Sequence, residues 1–205
     1  MEIISRGTRL PILKTRRLVL RDIRVQDISK DYVEWLNNPE VNGSLEIRFA
    51  PQTYESVKAY VESKLRDTKT TKHFGIYDQE GQRLVGTVTL PHIDWHHSFA
   101  DLSFVVGYPG IQGRGYATEA VHGVAYYMFE ESGLVKLWGG FYGGHSASEK
   151  VFLKNGFRVE GRVKKKYVNR EKVRVDWVLM GLLADEFVEN PAYLGTLPPR
   201  RSTEE

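Results

Sequence analysis

The chain has 205 residues, 41% apolar and 27% charged, with a formal net charge of +3. That size and balance fit a single domain over 1–205 with a core large enough to fold alone, and the small charge does not by itself point to nucleic acid. The absence of cysteine excludes disulfides, thiolate nucleophiles and cysteine-ligated metals, and no apolar run approaches the ~20 residues of a membrane span.

Residues 1–13 read as a loose lead-in. Met1 to Arg6 lacks the apolar stretch of a secretory signal, so a cytoplasmic location with no membrane partner is expected. From Arg17 to Ile23 apolar and polar residues alternate, which predicts a first strand. Asp27 is placed to cap a helix carrying Ile28, Tyr32, Val33, Trp35 and Leu36, stopped at Asn37-Asn38-Pro39. A loop over 45–53 leads to a second helix, with Thr53 as N-cap and Val57, Tyr60, Val61 and Leu65 on one face. Strands follow at 72–78 and 84–90, joined by a turn at 78–82. His92, His96 and His97 lie in a loop. Their spacing is not that of a helical zinc motif, so no metal is expected.

The segment 100–120 carries the strongest signal. An apolar strand, 100–106, runs into glycines at 107, 110, 113 and 115, and a helix opens at Thr118. Strand, glycine loop and helix N-terminus leave unpaired N–H groups converging on one spot, backed by the positive end of the helix dipole. That spot suits a phosphate. G-x-G-x-x-G would need glycine at 118, where the chain has Thr118, and no G-K-[ST] is present, so neither the dinucleotide fingerprint nor the P-loop applies.

The residues do read Q-x-x-G-x-A, as Gln112, Gly115 and Ala117, inside the longer string G-x-G-Y-A-T-E-A. This resembles the acetyl-CoA pyrophosphate loop of the GNAT (GCN5-related) N-acetyltransferases, in the branch holding ribosomal-protein and amino-sugar acetyltransferases. The T-x-R-L-x-L-R opening from Thr15 and the segment Trp35 to Val41 are similar to the same branch, as is Ser148 with the closing Gly156-Phe157. The resemblance covers roughly 15–183, leaving 184–205 as a C-terminal tail. It implies an α/β (α+β) fold with a single mixed central sheet, splayed where acetyl-CoA binds and flanked by helices on both faces. It also implies direct acetyl transfer from acetyl-CoA to a primary amine, with no metal.

Carried over residue by residue, the resemblance assigns Gln112, Gly113, Arg114, Gly115, Tyr116, Ala117 and Thr118 to the pyrophosphate. It assigns the backbone of Phe104, Val105 and Val106 to the pantetheine arm. The asparagine that usually steadies that arm is His145 here, a departure that leaves the contact to His145 or to backbone. The usual general-acid tyrosine falls at Phe152, which has no hydroxyl, so Ser148 is the candidate acid, with Tyr142 and Tyr167 in reserve. Ser148 has a second reading as a helix cap, a role open to Ser146 as well. Asp101 is the candidate base, with Glu46 and His97 as alternatives.

The resemblance also makes the segment between the first two helices a wall of the acceptor pocket, which singles out Glu46 and Arg48, with His97 and Tyr167 nearby. After a strand at 135–141 and a helix at 149–154, a hairpin over 157–183 carries Arg158, Arg162, Lys164, Lys165, Lys166, Arg170, Lys172 and Arg174. A strand this basic cannot bury both faces. It reads as a solvated hairpin or as a wall that attracts an anion. The expected acceptor is a small-molecule amine such as an amino sugar or nucleotide-linked sugar. The alternatives are a protein N-terminus, a polyamine, or a non-catalytic acyl-CoA sensor. No nucleic-acid partner is expected, and a homodimer follows only from the habits of the family.

Overall fold

The computed structural model describes residues 10–79 and 83–195. Its strands are β1 (Leu13–Lys14), β2 (Leu18–Asp22), β3 (Lys72–Asp78), β4 (Leu84–Leu90), β5 (Ile93–Asp94), β6 (Phe99–Asp101), β7 (Ser103–Val106), β8 (Lys136–Tyr142), β9 (Arg158–Val168) and β10 (Arg174–Leu183). Its helices are α1 (Lys30–Asn37), α2 (Pro39–Asn42), α3 (Tyr54–Arg66), α4 (Tyr116–Tyr126), α5 (Ser146–Lys154) and α6 (Pro191–Leu194).

The splay expected of one central sheet is complete enough to make two. Five strands run in the order β1-β2-β3-β4-β7, and five more in the order β5-β6-β8-β10-β9. One extended stretch, 99–106, belongs to both. Its first half pairs parallel with β8, Phe99 beside Lys136 and Asp101 beside Trp138. Its second half pairs antiparallel with β4, Val106 opposite Gly86. The crossover is Leu102, whose N–H donates to the Trp138 carbonyl at 2.7 Å. Beyond that bond β7 and β8 part, and a V-shaped slot opens between them.

Helices cover both faces, as alternation along the strands requires. On one face Phe74, Ile76 and Val88 meet Ala120, Val121, Val124 and Ala125 of α4 and Phe152 of α5. On the other, Tyr77 and Ile23 meet Tyr32 and Trp35 of α1 and Val57 and Val61 of α3.

Three local expectations are corrected. Asp27 does not cap α1; Ser29 does, accepting from the Tyr32 N–H at 3.1 Å. The Asp27 carboxylate is already committed to both terminal nitrogens of Arg21 and to the Tyr77 hydroxyl. The lead-in is anchored before residue 13, because Leu10 and Leu13 are buried and β1 pairs with β2. The tail is packed as far as 195. Phe187 is buried against His122 and Phe129, and the Asn190 N–H donates to His122 Nε2 at 3.0 Å. The rest of the expected tail, 196–205, lies outside the described residues.

Candidate active site

The glycine loop forms as the sequence leads one to expect. Gly110, Gly113 and Gly115 take positive φ values of 78°, 76° and 81°. Gly115 is the N-cap of α4 and has no side chain to satisfy the first-turn N–H groups, so these stay available to a ligand. Its left-handed conformation is the reason for glycine there. Gln112 closes the loop on itself, its Nε2 donating to the Tyr108 carbonyl at 2.9 Å. Gly113 and Arg114 are exposed, while Tyr116 and Ala117 are half-buried. Thr118 is buried, and its carbonyl accepts from Asn155 Nδ2 at 3.2 Å.

The slot between β7 and β8 has one helix lying against it. β7 has ladder partners only in β4, so its edge toward β8 carries no strand. Phe104 and Val106 point to the α4–α5 face, and Val105 to the α1–α3 face. Phe152 of α5 is buried against Phe104, at 5.3 Å between ring centroids, and against Phe141 and Phe157. Ser148 stands one turn earlier on the same face of α5, half-buried, as i and i+4 positions must. Neither Ser146 nor Ser148 caps this helix. His145 does, its Nδ1 accepting from the Ser148 N–H at 3.2 Å. Burial pushes the His145 pKa down, which keeps the imidazole neutral and able to accept. So His145 Nδ1 is committed to the helix cap, and the Ser148 hydroxyl is left uncommitted to it.

Asp101 ends β6 beside Trp138. Its neighbours Ala100 and Leu102 pack toward α4, so its side chain shares the opposite face with Trp138. Burial pushes its carboxyl up from the ordinary range, against the opposing pull of the Leu102 N–H and His92.

A second cluster gathers residues far apart in the chain. Glu46 and Arg48 sit in a 3₁₀ turn over Glu46–Phe49. The Tyr142 hydroxyl donates to Glu46 Oε1 and accepts from Arg48 Nη1 at 3.0 Å. Arg48 Nη2 also donates to the Val168 carbonyl, tying this turn to the end of β9. Tyr142 stacks on Tyr167, centroids 4.7 Å apart, and Tyr167 meets Trp177 edge-on at 5.9 Å. Trp177 lies over Gly140, where any Cβ would overlap its indole, and reaches Trp138 at 6.2 Å. Lys166 Nζ sits 3.5 Å above the Trp177 ring. The result is an aromatic wall on the Asp101 face of the sheet, edged by Arg48 and Lys166.

The structure thus brings Glu46, Arg48 and Tyr167 together, and Asp101 onto the same sheet face. It does not bring His97. That residue lies exposed in the turn before β6, its N–H bonded to Asp94 Oδ1 at 2.9 Å. β6 begins beside the start of β8, whereas Tyr142 ends β8 six residues on, about 20 Å away at ~3.3 Å per residue. His97 is therefore corrected out of the acceptor wall. Among the described residues no group of three or more His, Asp or Glu side chains could hold a metal ion. Trp138 and Trp177 were missed from the sequence. Their signal was the alternation Trp138, Gly140, Tyr142 along one strand, visible only once that strand's free face is known.

A family model described as an acetyltransferase (GNAT) domain matches residues 17–158, more than half of the chain. The chain belongs to the GNAT acetyltransferase family. It is an enzyme, an acetyl-CoA-dependent N-acetyltransferase. Among similar proteins, the uncharacterized N-acetyltransferase YoaA of Bacillus subtilis (strain 168) is 27% identical over 154 residues, covering 74% of this chain and 85% of that one. A GNAT acetyltransferase from Bacillus anthracis superimposes with a TM-score of 0.73 at 22% identity, covering 86% of this chain and 100% of that one. The microcin C7 self-immunity acetyltransferase MccE, solved with acetyl-CoA and AMP, gives a TM-score of 0.70 at 17% identity over 82% of this chain and 93% of that one. These structures share the fold. No helix of the described residues is long and apolar enough to cross a membrane.

Proposed function

We propose that this GNAT enzyme acetylates the primary amine of a small molecule that also carries a flat ring and an anionic group, such as a nucleotide-linked amino sugar. The aromatic wall of Tyr142, Tyr167 and Trp177, edged by Arg48 and Lys166, is the observation that carries this reading. Aromatic faces bind a planar ring by stacking, and guanidinium and ammonium groups bind phosphate or carboxylate. Arg48 and Lys166 repel a polyamine, a repulsion that the Glu46 carboxylate beside Tyr142 offsets only in part.

In this reading Asp101 removes a proton from the acceptor's ammonium. The free amine attacks the thioester carbonyl carbon, forming the C–N bond and a tetrahedral oxyanion; this collapses as the C–S bond breaks, and the nitrogen's second proton passes by way of Ser148 to the thiolate. Ser148 supplies a hydrogen bond or proton to the departing thiolate, and backbone N–H groups of 104–106 support the oxyanion. Asp101 is suited to this by its raised pKa, which places the carboxyl nearer the working range of a base than an exposed aspartate.

The test is thiol release from acetyl-CoA across nucleotide amino sugars, unlinked amino sugars, aminoglycosides, polyamines and N-terminal peptides. The protein contributes no background, since it has no cysteine. Preference for a nucleotide-linked amine supports the proposal. Preference for peptides or polyamines overturns the acceptor class, and tight donor binding with no transfer favours a sensor.

A further inference from the structure

The turn between β1 and β2 reaches the start of α4 through Arg17. Glu119, in the first turn of α4, is fully buried. A buried carboxylate survives only if its oxygens are satisfied. Both are: Oε1 accepts from Thr15 Oγ1 and from the Arg17 N–H, each at 2.7 Å, and Oε2 accepts from Arg17 Nε at 2.7 Å. Thus anchored, the Arg17 guanidinium lies 4.8 Å from the centre of the Tyr116 ring, and its Nη1 donates to the Arg114 carbonyl at 3.0 Å.

That last bond has a directional consequence. In a trans peptide the carbonyl and the following N–H point opposite ways. Drawing the Arg114 oxygen toward Arg17 turns the Gly115 N–H away from it, outward with the other free donors at the start of α4. Gly115 has positive φ and no Cβ, so nothing in its own side chain would hold this peptide in one orientation.

We propose that Arg17 is a positioning residue for the acetyl donor, aiming the 114–115 peptide at the pyrophosphate while Glu119 holds the guanidinium fork in place. This rests on the reading of 112–117 as the pyrophosphate cradle. Lysine cannot replace it, because the clamp uses two nitrogens of one planar fork on two different acceptors.

The experiment compares acetyl-CoA with S-acetylpantetheine, a donor lacking the pyrophosphate, in wild type, Arg17→Gln, Arg17→Lys and the double variant Arg17→Gln/Glu119→Gln. The double variant removes the buried charge together with its partner, so it reports even if Arg17→Gln alone fails to fold. For each folded variant the KM for acetyl-CoA should rise ~10-fold, the scale of one lost charge-assisted bond. The kcat and the acceptor KM should stay within about twofold of wild type on the same scale. With S-acetylpantetheine the variants should match wild type. Equal losses with both donors, an unchanged KM for acetyl-CoA, or full rescue by lysine would overturn the proposal. A wild type that does not discriminate between the two donors would instead refute the cradle itself.

Discussion

Tyr142 and Tyr167 lie face to face, ring centroids 4.7 Å apart and planes within 12° of parallel. They come from strands that are not hydrogen-bonded neighbours, β8 and β9, with Trp177 of β10 beneath both. If this stack is the acceptor's platform, Tyr167→Ala should raise the acceptor KM ~10-fold or more, since a base on an aromatic face is worth about 1–3 kcal/mol. The KM for acetyl-CoA should not move. Tyr142→Phe keeps the stack but releases Glu46 and Arg48, so a smaller loss confined to acceptor binding is expected. Steady-state kinetics with each substrate varied in turn would read both effects.

Asp101 gives a pH signature. Its pKa is raised by burial, so it loses its proton at a higher pH than an exposed aspartate. Activity limited by a base rises as that base deprotonates. The acidic limb of kcat/KM should therefore lie above pH ~3.9, the ordinary aspartate value. Asp101→Asn should abolish that limb and lower kcat by ~10²-fold or more. An unchanged limb in the variant would pass the role to another group.

Ser148→Ala tests the other end of the reaction. The helix cap belongs to His145, so the alanine variant should fold with nearly unaltered thermal stability. Its kcat should fall by ~10²- to 10⁴-fold, as for loss of a general acid, with little change in either KM. Ser148→Thr, which keeps the hydroxyl, should recover a large part of the rate. A loss of stability without a loss of kcat would make Ser148 structural.

Three histidines predict acid sensitivity, His73 and His122 buried and His145 half-buried. His73 is pushed down to about 3 by burial, and burial also lowers His122 and His145. In each case the unfolded chain binds the proton more readily than the folded one, so stability rises with pH below ~6.5 and is lost on acidification. Each contributes at most ~1.4 kcal/mol per pH unit. Melting curves from pH 7 to 5 should show a falling midpoint. His122→Asn should flatten part of that slope, whatever it does to the midpoint at pH 7.

The glycine loop was legible in the chain because it is local. Gly107 to Thr118 are consecutive, and the positive φ of Gly110, Gly113 and Gly115 is what glycine at those positions permits. The pairing of Ser148 with Gly156-Phe157 was equally local, since both lie on or just after α5. The His145 cap and the true caps of α1 were not legible. Asp27 and Ser29 are both good capping residues, and only the arrival of Arg21 and Tyr77 from neighbouring strands decided between them.

By itself the sequence determined the order of elements, the glycine cradle and, through it, the family and its acetyl donor, because each depends on residues within one or two turns of one another. Tertiary structure alone decided the aromatic wall proposed for the acceptor. Arg48 meets Tyr142 and Val168 across 94 and 120 residues, and His97 is carried to the far end of the same sheet. Those relations follow from the parting of β7 and β8 after Leu102 and from the pairing of β8 with β10, strands far apart in the chain that no short turn joins.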